Sequence, residues 1–505
     1  MALSMRFFII SAPPLILKIK SGICIDISGV KWYIQNSFKN GGARMNRKKD
    51  LHITEGPLFK GIMAYAIPII LGNLISIFFN AADIAILGNY ADKNSVAAVG
   101  ATGAIISLLV TSFMGISGGT NVILSRLIGA KDERNAKLCI DTSIVGSFVL
   151  GLALVAVCLA LSKTFLVWTD CPEEIMHDAD TYMKYYFLGI PAMMVYNFGA
   201  TIIRASGDSR KPLYYLAASG ALNVVLNFIL CIVLEQKVIA VAVATLVSQI
   251  LGAVLVMIHL VRAEGICTFS FKNITFSWGM LGRILKIGLP CAFNSSLFSI
   301  SNLQIQSAIN ALGASCIAGN TVSGNVEGFV CAIYSAFSTT ALVFVSQNYG
   351  AHNRERLNKS IILNTLVSFA VTITFGNLVY LFGESIFSIY IPGEAESIAF
   401  AMERGSYLLV GYWIAAVMGA FGAVIQAYGY SIYPMITSIV SVLGLRVVWM
   451  TFIYPIYPKY VSIVQCYIVS WSLTLIFNFI IFIRLHKKML RSMTVSESVT
   501  PKNVN

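Results

Sequence analysis

Apolar stretches long enough to cross a lipid bilayer recur from residue 61 to residue 483, separated by short polar breaks. Twelve are read, near 61–88, 96–126, 135–162, 181–205, 212–234, 238–261, 284–311, 317–347, 358–384, 404–428, 434–456 and 461–483. Runs such as LCIDTSIVGSFVLGLALVAVCLALS (138–162) are continuously apolar and do not alternate. Each therefore predicts a helix that closes its own backbone hydrogen bonds across roughly 30 Å of hydrocarbon, and not a barrel strand. The longest polar insertion within one half, 163–180, is expected to be a loop.

The two halves of this pattern match at a fixed offset. Pro68 in AIPII corresponds to Pro290 in GLPCA (290 − 68 = 222), and Gly129 in SRLIGAKDER to Gly350 in SQNYGAHNRE (350 − 129 = 221). RASGDSRKP corresponds to QAYGYSIYP, with Gly207/Gly429, Ser209/Ser431 and Pro212/Pro434 all 222 apart. Landmarks in register over so long a stretch predict an internal repeat. With six spans in each half, both halves insert the same way up, related by an axis along the membrane normal.

Loop charge sets the orientation. The loops that begin with residues 44–60 and alternate thereafter carry 23 Lys and Arg, among them Arg126, Lys131, Arg134 and Lys137. The opposite set carries six: Lys93, Lys163, Lys184, Lys237, Arg404 and Lys459. By the positive-inside rule both termini are expected in the cytoplasm. The fold class predicted is thus all-α integral membrane, with twelve transmembrane helices in two pseudo-twofold lobes. Residues 1–60 form an N-terminal extension, 61–262 an N-lobe (spans 1 to 6), 263–283 a cytoplasmic linker, 284–484 a C-lobe (spans 7 to 12) and 485–505 a tail. Residues 1–25 carry an apolar run broken by Pro13, Pro14, Lys18 and Lys20, poor for a span, whereas MNRKKDLHITEGPLFKG from Met45 reads as a cytoplasmic start. Translation is expected to begin at Met45, with a genuine extension through residues 1–44 as the open alternative.

Composition narrows the function classes. The chain is 57% hydrophobic and 12% charged, with a mean hydropathy of +0.76. A net charge of +13 suggests nucleic acid in a soluble protein, but no basic stripe with interleaved aromatics is present, and no nucleic-acid partner is expected. Most of the ten cysteines lie in apolar segments as small hydrophobes; Cys171 alone sits in a polar loop. Five scattered histidines, no HExxH and no Walker-type phosphate loop argue against an enzyme, a resident cofactor or direct ATP coupling. A lipid bilayer, small-molecule substrates and a monomeric state are expected.

Asp83, Glu327 and Arg446 stand out among the charged residues inside predicted spans. Asp83 lies about two-thirds along the first, among apolar neighbours. A charge there costs at least about 2.5 kcal/mol and is usually kept for function. The plainer alternative is a carboxylate that only ties helices together. Glu327 in NVEGFV and Arg446 in VLGLRVVWM lie in C-lobe spans and are expected to pair, as a coupling switch or as a structural tie. The repeat places Ile305 opposite Asp83, so the halves differ in chemistry. Pro68 and Pro290 are expected to kink their helices, and Gly118 and Gly119 to allow close helix packing.

The segments IPIILGNLISIFFNAADIAILG, SRLIGAKDERNAK, IIRASGDSRKP followed by LNVVLN, LPCAFNSSLFSISN and VSQNYGAHNRE resemble the multidrug and toxic compound extrusion (MATE) family, nearest its DinF/MepA-like bacterial branch, over about residues 51–490. The resemblance implies export of organic, often cationic or amphiphilic compounds by antiport with Na+ or H+, from the inner membrane of a bacterial cell. It also implies that Asp83 is the coupling carboxylate, with Asn223, Asn227 and Thr245 as oxygen-donor partners and no metal beyond a Na+ at Asp83. Family members often carry a second Asp where this chain has Asn227, so one negative charge is missing and protonation of Asp83 becomes the rival to Na+ binding. For the substrate, Ser76, Asn80, Met193, Tyr196 and Asn197 are expected to line an N-lobe cavity. The rival within transporters is a lipid-linked oligosaccharide flippase of the same superfamily.

Overall fold

The computed structural model describes residues 16–18, 24–26, 53–90, 93–169, 171–233 and 237–499. It divides into two units, Met1–Asp50 and Leu51–Asn505. In the first, β1 (Ile16–Lys18) pairs antiparallel with β2 (Cys24–Asp26). The expected start at Met45 lies outside the described residues.

The second unit is a helix bundle. Its first half holds α1 (Leu58–Tyr90), α2 (Lys93–Gly129), α3 (Glu133–Trp168), α4 (Glu173–Leu188), α5 (Ile190–Ala205), α6 (Arg210–Val233) and α7 (Lys237–Arg262). The second holds α8 (Trp278–Asn310), α9 (Ala314–Gly350), α10 (Arg354–Leu381), the short α11 (Gly383–Tyr390), α12 (Ala395–Ala427), α13 (Ile432–Ser438), α14 (Leu445–Val448) and α15 (Tyr460–Val499). π-Helical turns at Ile439–Gly444 and Trp449–Ile453 weld α13 and α14 into one span. Among the described residues eleven helices are long and apolar enough to cross a membrane, and α4 with α5 makes a twelfth, bent by 46°. Large apolar side chains such as Ile250 and Leu366 are exposed, as a lipid-facing surface requires.

The bend and the longest polar insertion both depart from expectation. Pro191 has no N–H and its ring blocks the carbonyl four residues back, so the span read at 181–205 breaks at Gly189. The repeat counterpart of Pro191 is Trp413, and α12 runs through unbroken. Residues 163–180 are mostly helix rather than loop, because α3 continues to Trp168 and α4 starts at Glu173. The buried Asp180 ties them together, accepting from Ser162 Oγ and from Lys184 Nζ, both at 2.6 Å. Cys171, expected in a polar loop, is buried in the N-lobe core between these helices.

The repeat is legible in the backbone. Lys131 and His352, 221 apart, both take left-handed φ values, 56° and 53°, closing α2 and α9 with the same turn. In each case the next residue caps the following helix: Asn135 N donates to Asp132 Oδ1 at 3.1 Å, and Arg356 N to Asn353 Oδ1 at 3.0 Å. At this end of the bundle the lobes are in backbone contact. A Cβ on Gly129 would lie 2.0 Å from the Gln347 carbonyl oxygen, and one on Gly350 2.0 Å from that of Arg126. Two reciprocal caps cross the boundary. Arg126 donates through Nε to Ala427 O at 2.9 Å, with Nη2 on the same oxygen, and Gln347 Nε2 donates to Ala205 O at 2.6 Å.

Each half also begins its first helix in the other half's core. Ile53, Ile62, Tyr65, Ala66 and Ile69 pack with Phe337, Phe344 and Val367 of the C-lobe, while Met280, Ile284 and Ala292 of α8 belong to the N-lobe cluster. Arg356 strengthens the first exchange by donating to the carbonyls of Ile53 (3.0 Å), Gly56 (2.8 Å) and Glu55 (2.6 Å). The connection between halves is tied to α3: Thr275 N and Oγ1 donate to the buried Asp141 Oδ2 at 3.0 and 2.9 Å, and Ser277 N to Thr142 Oγ1 at 3.2 Å.

Candidate functional site

Asp83, three residues past Asn80 on α1, faces α6 and α7. Asn227 Nδ2 donates to its Oδ1 at 2.6 Å. Asn223, one helical turn before Asn227, meets the same carboxylate: with its amide nitrogen inward it donates to Oδ1 at 2.8 Å and Oδ2 at 3.0 Å. With its oxygen inward, it accepts from Asn227 Nδ2 at 3.3 Å and donates to Thr245 Oγ1 at 3.4 Å. Two oxygens that close hold together only with a proton or a cation between them. Asn227 Oδ1 is buried and has no hydrogen-bond partner. The four residues assigned by resemblance thus converge: one carboxylate, two amides and a hydroxyl, with no Lys or Arg among the ion pairs of Asp83 in the described residues. Hard cations take such oxygens, and a lone carboxylate in this setting also takes a proton. The i, i+4 spacing of Asn223 and Asn227 puts both on one face of α6.

The five residues expected to line a substrate cavity differ in their surroundings: Met193 is buried, Ser76, Tyr196 and Asn197 are half-buried, and Asn80 is exposed. Met193 is buried in the N-lobe core against the Tyr186 hydroxyl, 3.9 Å from its sulfur. Asn197 Nδ2 donates to Met193 O at 2.9 Å, Tyr196 Oη to Pro212 O at 3.4 Å and Ser76 Oγ to Gly72 O at 3.1 Å. Helix α5 packs against α3 and α7 inside the lobe, which places Met193 in its core. A cavity of about 200 Å3 opens in the C-lobe, among Asn294, Ser338, Gln426, Ser438, Thr474 and Asn478.

The expected pairing of Glu327 with Arg446 is corrected. Arg404 takes both oxygens of Glu327, Nε to Oε1 at 2.6 Å and Nη2 to Oε2 at 2.9 Å, and Nη1 donates to Asn320 Oδ1 at 2.7 Å. Ser323 and Tyr412 complete the carboxylate at 3.1 and 3.4 Å. Arg404 falls among the loop charges when the apolar run is read from residue 404. The helix begins nine residues earlier, at Ala395, which carries Arg404 into the lobe. Arg446 and Arg404 both lie against the ring of Tyr467, whose centre is 4.3 Å from the guanidinium of Arg446 and 5.1 Å from that of Arg404. The signal that would have found Arg404 is the apolar stretch upstream of it, AESIAFAME, read as loop.

The sequence profile of the MatE family matches residues 68–229 and 290–451, two segments 222 apart at both ends. The chain is 23% identical over 397 residues to the probable multidrug resistance protein YoeA of Bacillus subtilis (strain 168), covering 77% of this chain and 86% of that one. It is 25% identical over 416 residues to the multidrug export protein MepA of Staphylococcus aureus (strain NCTC 8325 / PS 47), covering 79% and 91%. The fold superposes on a solved multidrug resistance MATE family transporter of the MOP superfamily in an outward-facing conformation, with a TM-score of 0.81, 20% identity, and coverage of 88% of this chain and all of that one. The chain belongs to the MATE family of multi-pass membrane transporters.

Proposed function

We propose that this protein is a secondary exporter of small organic, often cationic or amphiphilic compounds, driven by antiport with Na+ or H+ at Asp83, in a bacterial inner membrane with both termini cytoplasmic. The observation that carries the reading is the convergence of Asp83, Asn223, Asn227 and Thr245 inside the N-lobe. A carboxylate without a basic partner changes its charge by binding or releasing a proton or a cation, and the amides of Asn223 and Asn227 beside it offer both donors and acceptors. The names borne by the relatives, multidrug resistance and multidrug export, supply the substrate class. The excess of basic residues on one set of loops supports the orientation. A site with one carboxylate favours exchange of one charge per cycle, by protonation or by one Na+.

The test is transport by the purified protein in sealed vesicles under a Na+ gradient and a proton gradient imposed separately, with Asp83→Asn alongside. The parent transports under at least one gradient and Asp83→Asn under neither; Asp83→Asn working at the parent rate under both would end the assignment.

A further inference from the structure

The buried charge of the C-lobe is unbalanced. Glu327 is its one fully buried carboxylate among the described residues, and Arg404 occupies both oxygens. Arg446, only 1% exposed, is left with neutral partners. Its Nη1 donates to Asn302 Oδ1 at 2.9 Å and Ser301 Oγ at 3.3 Å, and its Nε to Ser470 Oγ at 3.3 Å. A guanidinium in a membrane interior without a counter-charge is expensive, and such residues are retained for function by default.

Three helices connect it to the C-lobe cavity. Asn294 and Phe298 on α8, Ser438 at the end of α13, and Thr474 and Asn478 on α15 line that cavity of about 200 Å3, and no acidic or basic side chain is among its lining residues. One turn further along the same helices stand Ser301, Ser441 and Ser470, and then Arg446. Asn294 Oδ1 and Ser441 Oγ, at the two ends of this polar seam, are buried without hydrogen-bond partners, which is uncommon in a folded protein. The repeat sharpens the contrast. Adding 222 to Asp83, Asn223 and Thr245 gives Ile305, Leu445 and Tyr467, and Arg446 follows Leu445. The span is π-wound on both sides of Arg446, whereas α6 is regular at the equivalent place. Corresponding regions of the two lobes thus carry opposite charge.

We propose that this seam binds the carboxylate group of a small organic acid or zwitterion, held by Arg446. The guanidinium fork matches a planar carboxylate, the serine hydroxyls donate to it, and no acidic side chain along the seam repels it. Asn302, the guanidinium's nearest hydrogen-bond partner, is itself exposed, so an incoming anion has one side chain to displace. The proposal stands whether or not the protein exports drugs, and its test needs no transport.

Purified full-length protein in sodium methanesulfonate is titrated with sodium benzoate, with benzamide and with sodium chloride while thermal unfolding is followed. Benzoate raises the unfolding midpoint saturably and benzamide does not. In Arg446→Gln the affinity for benzoate falls by roughly tenfold or more, the factor expected for one charge-assisted hydrogen bond. Chloride that competes with benzoate supports a site open to any small anion, and chloride without effect supports one selective for carboxylate. Should Arg446→Gln not fold, Arg446→Lys replaces it, keeping the charge while losing the fork, and benzoate weakens several-fold. Benzoate acting like benzamide on the parent, or binding unchanged to the variant that folds, overturns the proposal.

Discussion

Asn227 marks where residue identity sets the chemistry of the N-lobe. Its amide nitrogen lies 2.6 Å from Asp83, so an Asp there would put two carboxylates in hydrogen-bond contact, and like charges that close stay ionised together only with a cation between them. Asn227→Asp is therefore expected to make vesicle transport depend more steeply on Na+ concentration; an unchanged dependence would rule this out. The Glu327–Arg404 pair has the opposite character, since all its charge is matched inside the lobe. Removing one partner, as in Glu327→Gln or Arg404→Leu, should cost about 3–5 kcal/mol of stability. The double replacement should cost less than the sum, as a double-mutant cycle of unfolding in detergent would show. Asp83 was legible in the sequence because a lone acid in an apolar run stands out, and Asn223, Asn227 and Thr245 followed from family resemblance. The partner of Glu327 was not, because Arg404 falls at the very start of the apolar run and only the extension of α12 back to Ala395 carries it inside.

Among the helices, the sequence pattern located every span and misplaced mainly their ends. It missed the break at Gly189, although GIP is visible there, because hydropathy continues across it while the proline interrupts only hydrogen bonding. The π-helical turns around Arg446 have no sequence signature of that kind. Pro68 and Pro290, by contrast, sit within α1 and α8, which continue past them. Neighbouring glycines show how far pattern alone reaches. The sequence pattern does not separate Gly118 from Gly119, yet a Cβ on Gly119 would clash with the Ile284 carbonyl oxygen, and one on Gly118 meets nothing within 4 Å. Gly119→Ala must push α2 from α8 and should lower stability by about 1–3 kcal/mol, while Gly118→Ala should stay within about 0.5 kcal/mol. Thermal unfolding of the two variants side by side checks the difference.

For the whole molecule, the reciprocal caps at Ala427 and Ala205 hold the two lobes together at the end bearing the basic loops. They are unequal: Arg126 brings a charged fork and Gln347 a neutral amide, so the first should dominate. Arg126→Gln is expected to widen the distance between spin labels on Arg134 and Glu355, which sit on the adjoining loops of the two lobes, by several ångströms in part of the population. An unchanged distance distribution would assign closure to the glycine contacts alone. The repeat made the two-lobe plan readable from sequence, but not the crossing of α1 and α8 into the opposite cores, since an internal offset says which residues correspond and nothing about which ones touch.

That crossing makes the halves interdependent. A transporter nicked between Glu264 and Phe271 would remain interlocked, because the leading turns of each fragment complete the interior of the other. The fragments should copurify as a one-to-one pair, and either one synthesised alone should leave an open groove and fail to accumulate. Evolution by duplication is constrained accordingly: once the leading helices were exchanged, neither half was free to be lost or replaced without its counterpart.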